Sequence, residues 1–266
     1  MRLAFAAALS VLVVAGAASA AEPGERPFCP ARPGKASPAC TVDAGRVQLE
    51  IDAFDETFDK AGGVKTTDLT LGASQLRIGL TADAELQLAW TPYERQTAHG
   101  AGIDGAVSGV GDAVAGLKFN LTGNSDGFGA ALQPFVKLPT APRTIGDGKV
   151  EGGLTAPLSI PLAGGWSLGL SPEVDVSANE SGSGYHAAGS LATGVSHALT
   201  PELSFGAELW VAQDFVSRSP TQASADLMLA WTPGFAHDLQ FDVGVNLGLT
   251  PAAAGAQAYA GIAKRF

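Results

Sequence analysis

The sequence predicts an all-β chain: one antiparallel, up-and-down transmembrane β-barrel of about twelve strands, with both termini periplasmic. Three observations predict it. Apolar and polar residues alternate in segment after segment from Val47 to the last residue, Phe266. No stretch beyond the N-terminus offers the ~18 or more uninterrupted apolar residues of a spanning helix. The chain also opens with the features of an exported protein.

That opening is Met1-Arg2, a mostly apolar run from Leu3 to Ala15, and small residues ending Ala18-Ser19-Ala20. One positive charge, a short apolar core and an A-x-A exit describe a secretory signal peptide, with cleavage between Ala20 and Ala21. Residues 1–20 are therefore read as the signal, 21–46 as a periplasmic N-terminal arm, and 47–266 as the barrel. The arm is rich in proline (Pro27, Pro30, Pro33, Pro38) and holds both cysteines, Cys29 and Cys40. Export to an oxidising compartment favours a disulfide between them. A metal site lacks a nearby histidine to complete its ligands.

The barrel elements follow in order. Val47, Leu49, Ile51 and Ala53 share one face of the first strand, with Gln48, Glu50 and Asp52 opposite. In Thr66–Leu80 the apolar phase slips, which predicts a bulge near Gly72. Thr81-Ala82-Asp83 turns into Ala84–Thr97, where Leu86, Leu88 and Trp90 alternate with Glu85, Gln87 and Ala89. His99–Gly109 reads as a long Gly-rich connection into Val110–Thr122, and Phe128–Leu138 comes next. Pro139–Glu151 is a second long connection, leading into Gly152–Leu162. Trp166–Ser177, Tyr185–Leu199, Leu203–Val216 and Thr221–Thr232 carry the pattern on. Leu239–Leu249 is the cleanest strand, and Ala256–Phe266 closes the chain. Each segment is near the ~10 residues of a tilted span, and short connections alternate with longer ones. A closed barrel pairs every backbone N–H and C=O, which lipid demands.

Trp166, Trp231, Phe128 and Phe266 fall on the apolar face near the short-turn side, and Trp90 is read near the long-loop end of its strand, as two interfacial girdles would place them. Pro134, Pro157, Pro161 and Pro172 fall inside strands, where each removes a ladder donor. The alternation itself gives no account of them.

Three stretches carry a family likeness. Leu76–Trp90 (LRIGLTADAELQLAW), Gly109–Leu121 (GVGD, then GLKFNL) and Val136–Ala141 (VKLPTA, with Ala141 where glycine is usual) resemble motifs of the outer-membrane transporter-like barrels named after the meta pathway of phenol degradation. The resemblance covers Val47 to the C-terminus, with GVGD its most specific part. It implies a barrel and a transport role. Phe266 is similar to the C-terminal aromatic that such barrels present to the outer-membrane assembly machinery, although Lys264 interrupts the phase.

On the inferred inward face stand Glu50, Asp52, Glu85, Asp112, Glu173, Asp175, Glu208, Asp226 and Asp242, with Arg77, Lys118, Lys137 and Arg265 of opposite sign. These are the candidate lumen-lining residues. They fit a polar channel for small solutes that favours cations. They fit equally a plugged, structural barrel whose charges pair across strands. A soluble β-sandwich or surface structural protein would share the signal and the alternation, but should not place aromatics at both strand ends. A barrel hydrolase is a further class, and it needs serine and histidine in hydrogen-bond reach. Ser196 and His197 are adjacent and so point to opposite faces, while His186 and Ser190 stand too far apart on one face. The chain is accordingly read as no enzyme, with no cofactor. The net charge of -10 argues against a nucleic-acid partner. The partners expected are outer-membrane lipid, lipopolysaccharide, the assembly machinery and an unidentified small solute.

Overall fold

The computed structural model describes residues 26–123, 127–179, 181–216 and 218–266. The expected signal peptide, residues 1–20, and its cleavage point between Ala20 and Ala21 lie outside the described residues. From Val47 onward the chain is almost wholly strand, and the sheet closes where the last strand pairs with the first.

Strand β1 (Val47–Ala61) pairs with β2 (Val64–Leu71) along its upper part and with β3 (Ser74–Gly79) along its lower part. β2 and β3 keep one register against β1, so they form a single stave. In the same way β4 (Ala84–Trp90) continues into β5 (Tyr93–Gly100), and β6 (Ile103–Gly109) into β7 (Ala113–Asn120). β8 (Gly129–Leu138) is followed by a split stave, β9 (Glu151–Thr155) and β10 (Leu158–Pro161). Then come β11 (Trp166–Ala178), β12 (Tyr185–Ala198), β13 (Leu203–Asp214), β14 (Gln222–Trp231), β15 (Leu239–Gly248) and β16 (Ala256–Arg265). Four staves thus consist of two segments each, and the 16 segments make twelve staves, the expected closed antiparallel barrel. The first and last strands meet at one rim: the Phe266 amide donates to the Val47 carbonyl at 2.8 Å.

One connection is corrected. The stretch His99–Gly109, expected as a loop, holds β6, paired with β5 from Glu94↔Gly109 to Gly100↔Ile103. The reversal is confined to Gly100-Ala101-Gly102, all at positive φ. Glycine-rich composition hid the strand because glycine contributes no alternating side chain.

The ladder is disturbed along one line. Asp52/Ala53, Gly72/Ala73, Thr91/Pro92 and Gly111/Asp112 sit side by side across four neighbouring staves. The predicted bulge at Gly72 (φ 71) is part of it. Backbone bonds still cross the line, from the Gly72 amide to Asp52 and from the Gly111 amide to Thr91, both at 2.8 Å. Above it, β6 is bonded to β5 alone. The connection 139–150 leans against this edge, where the Ala141 amide donates to Asp112 Oδ1 at 2.8 Å.

Three of the four strand prolines gather at a second disturbance, while Pro161 ends β10 opposite Ser167. The split between β9 and β10 falls at Ala156-Pro157, level with Pro172 on β11 and two residues below Pro134 on β8. The missing donors of Pro134, Pro157 and Pro172 are thus gathered near the point where the ladder is already open. The Ala131 amide still reaches the Pro157 carbonyl at 2.9 Å, and the Ala156 amide the Pro172 carbonyl at 2.9 Å.

Apolar side chains point outward. Leu227, Leu229, Phe241, Val243, Val245 and Leu247 are all exposed, while their neighbours Asp226, Gln240, Asp242 and Asn246 are buried. A soluble sheet protein buries its apolar set, so this inversion is that of a barrel facing lipid. Phe128, Trp166, Trp231 and Phe266 are exposed at the rim of the termini, as expected. Trp90 departs from expectation: β5 continues its stave for eight residues, which leaves it well below the opposite rim. Tyr185, Phe215 and Phe58 are exposed aromatics toward that rim.

Candidate functional site

The polar interior is filled from the rim of the termini to mid-height by the N-terminal segment itself. The sequence reading leaves this segment in the periplasm as an arm. Its described part, from Arg26 on, instead hydrogen-bonds to inward-facing residues on many staves. Its backbone has no ladder of its own, so its amides and carbonyls need partners. The barrel's carboxylates and amides supply them.

The Cys29–Cys40 disulfide, expected from the sequence, closes the segment into a loop across a Cα–Cα distance of 6.6 Å. Leaving Cys29, the amides of Ala31 and Arg32 donate to Glu50, at 3.0 and 3.2 Å. At the tip, the Arg32 guanidinium reaches Asp242 at 2.8 Å and also pairs with Asp52. The Lys35 and Ala36 amides donate to the two oxygens of Glu208, at 2.9 and 2.8 Å. On the way back, Lys118 Nζ donates to Ser37 Oγ and to the Pro38 carbonyl, both at 3.0 Å. Asn120 then reaches the Ala39 carbonyl at 2.9 Å, and the Val42 amide donates to Glu85 at 2.7 Å.

Arg77 is the hub. Its side chain is fully buried, and its five donors are all used. Nε and Nη2 clasp Glu85 at 2.8 and 3.0 Å. Nη1 donates to Glu50 at 3.0 Å and to the Cys29 carbonyl at 2.8 Å. Nη2 also reaches the Cys40 carbonyl at 3.2 Å. One planar fork therefore holds two carboxylates and both shoulders of the disulfide, which a point-charge lysine cannot do. Lys118 lies 4.0 Å from Glu85 and completes a buried cluster of four charges with Glu50. Arg265 anchors the base, to Asp238 at 2.6 Å and to the Arg26 carbonyl at 2.9 Å.

The remaining candidates stand above the loop. Lys137 gathers Glu151 at 2.5 Å, Asp147 at 3.3 Å and Asp112 at 3.6 Å. Glu173 accepts from Thr155 at 2.6 Å, and Asp175 lies against Gly153. Asp226 Oδ2 accepts from Tyr259 at 2.9 Å, while Asp226 Oδ1 is buried without a partner. Over the tip of the loop lies a cavity of about 410 Å³. Arg32, Lys35, Glu50, Asp52, Asp55, Asp112, Asp226 and Tyr259 contribute to its wall. Five carboxylates against two cations give it a negative balance.

The residues missed by sequence reasoning are Arg32 and Lys35 on the loop, and the neutral partners Gln48, Asn120, Gln240, Gln257 and Tyr259. The only signal was positional: each neutral partner stands in the inward phase of its strand, where amides and hydroxyls alternate with lipid-facing apolar residues. Among the described residues, the histidines contact Asp104, Asn179, Asp214 and the Gly164 carbonyl, and no serine hydroxyl is bonded to one.

The family described as "Putative MetA-pathway of phenol degradation" matches residues 31–266. The chain belongs to that family. The match begins at Ala31, so the family region includes most of the lumenal loop as well as the barrel. An outer-membrane channel from Pseudomonas putida F1 has a similar structure, with a TM-score of 0.66 at 13% identity, over 93% of this chain and 100% of that one. The NanC porin is similar at a TM-score of 0.50 and 9% identity, over 82% of this chain and 98% of that one. At these identities the likeness is one of fold. No curated protein matches the chain in sequence.

Proposed function

We propose that this family member is an outer-membrane channel for small solutes, stoppered through its lower half by its own N-terminal loop. Termini and short turns face the periplasm, and the longer connections face outward, the usual sense of such barrels. The observation that carries the reading is the division of the lumen. A charged cavity occupies the upper half, and a separate loop occupies the lower half. Hydrogen bonds, ion pairs and one disulfide neck hold that loop, and no strand pairing does. A segment held in this way can shift without opening the barrel wall.

The plugged structural barrel keeps one specific observation in its favour, the buried Arg77–Glu50–Glu85–Lys118 cluster that binds loop to wall. The family's description, a pathway of phenol degradation, points to aromatic compounds as the solute class. Outer-membrane lipid and lipopolysaccharide surround the apolar wall, and Phe266 is the C-terminal signal for the assembly machinery.

The negative balance of the upper cavity favours cations, because charge lining a narrow passage filters by sign. In planar bilayers the wild-type channel is expected to pass small ions with a cation preference. Asp55→Asn, Asp112→Asn and Asp226→Asn together are expected to lower that preference and leave the folded barrel intact. Folded wild-type protein that shows neither conductance nor solute uptake in liposomes would leave the plugged barrel as the better account.

A further inference from the structure

Above the disturbed line, the upper parts of β1, β2, β5 and β6 form a flange with strongly sorted faces. Toward the lumen it presents Asp55, Asp59, Asp68 and Glu94. Toward the outside, registered pairing sets Lys60 opposite Lys65, and Lys65 opposite His99. The row ends on Asp104, which His99 holds at 2.5 Å. Lower on the same face stand Arg95 and Glu56, on either side of Leu69. Among the described residues, no ion pair involves Lys60, Lys65 or Arg95. Lys60 and Lys65 are both exposed.

Two lysines directly across a strand pair repel each other. The Gly62-Gly63 turn, at φ 57 and 82, fixes that pair with a two-residue hairpin loop, a geometry that sets the strands firmly in register. A chain with a net charge of -10 thus places adjacent, unpaired cations on one outward row. Phe58 and Phe54 are exposed beneath them on the same face, with Thr67 opposite Phe58 and with Glu56 and Arg95 flanking Leu69 one step lower.

Height identifies the surroundings. Lys60 is thirteen residues along β1 from Val47, which pairs with Phe266 in the lower aromatic row. At about 3.3 Å per residue and a tilt near 40°, it stands roughly 33 Å above that row. The apolar band of such barrels is about 25 Å tall. Phe58 therefore reaches the top of the acyl layer, and the lysine row stands at the level of lipid headgroups.

We propose that Lys60 and Lys65, with His99 beside them, form a binding site for the phosphates of outer-leaflet glycolipid. A phosphate between the two ammonium groups relieves their repulsion, while the acyl chains of the same molecule lie on Phe54, Phe58 and Leu69. The site rests on the orientation proposed above, with the longer connections outward.

The test is native mass spectrometry of the detergent-solubilised full chain with bis-phosphorylated lipid A, dephosphorylated lipid A and inorganic phosphate as separate probes. Wild type is expected to retain the bis-phosphorylated lipid. The Lys60→Gln/Lys65→Gln double variant should retain it about thirtyfold less, at roughly fivefold per lysine beside an anionic lipid surface. Lys149→Gln, on the connection 139–150, should bind as wild type does. Equal retention by wild type and the double variant would overturn the site. So would equal retention of the dephosphorylated lipid, and so would competition by millimolar inorganic phosphate, which would assign the row to free anion. Heat-modifiable migration confirms that the variants are folded. Surface labelling of a cysteine introduced at Ser183 tests the orientation separately, so a failed site and a failed topology give different results.

Discussion

Arg77→Ala is expected to cost about 3–5 kcal/mol, the typical effect of removing one partner from a buried ion pair. The substitution strands Glu50 and Glu85, which are 3% and 0% exposed. It also strips the carbonyls of Cys29 and Cys40 of their guanidinium donor. The loop and the lower wall should therefore loosen together. Arg77→Lys keeps the charge and loses the fork, and it should fall between wild type and alanine. The check is the denaturant midpoint of heat-modifiable migration, read beside single-channel conductance. A lower midpoint with higher conductance is the expected result for Arg77→Ala. An unchanged midpoint would mean that the cluster carries no load.

Val243→Arg acts on the other face of the same wall and should cost about 2–4 kcal/mol at mid-membrane. Val243 lies midway along β15, is 51% exposed and sits between Leu229 and Ala260 on the neighbouring staves. A guanidinium there meets lipid with no carboxylate in reach. Folded yield in the outer membrane should fall, and the loop's contacts should stay as they are. Asp242→Asn, one residue away, gives the converse. It faces inward, where Asp242 accepts from Arg32 at 2.8 and 3.1 Å. Insertion should be unaffected there, and the loop's tip should be less firmly held. Similar insertion yields for the two variants would contradict the assignment of faces.

The barrel was legible because lipid and lumen impose opposite preferences on successive residues. In Leu239–Leu249 every odd position is apolar and every even one is polar or glycine, and the structure turns them to opposite sides. The twelve staves and the bulge at Gly72 follow from such phase reading. β6 did not, because Gly105 and Gly109 leave too few side chains to show a period. The site was legible in part. Charged residues in the inward phase announce themselves, and two cysteines in an exported chain announce a disulfide. The place of the loop did not show, since residues 26–42 have no repeating pattern. Their partners are scattered from Gln48 to Arg265, and no local spacing connects an irregular segment to donors and acceptors spread over so many staves. Arg32 and Lys35 were missed for that reason: a cation on a segment expected outside the barrel has no visible counter-charge.

The most direct measurement excises the loop and keeps its neck. Residues 30–39 are replaced by a short Gly-Ser linker between Cys29 and Cys40, and single-channel conductance is compared with wild type under identical salt. The barrel wall supplies its own closed hydrogen-bond ladder, so the shortened chain should still assemble and show heat-modifiable migration. Its conductance should rise severalfold, because the lower half of the lumen is then open to water. A folded, inserted variant with the conductance of wild type would contradict the account, for it would mean that the N-terminal loop is not what closes this barrel.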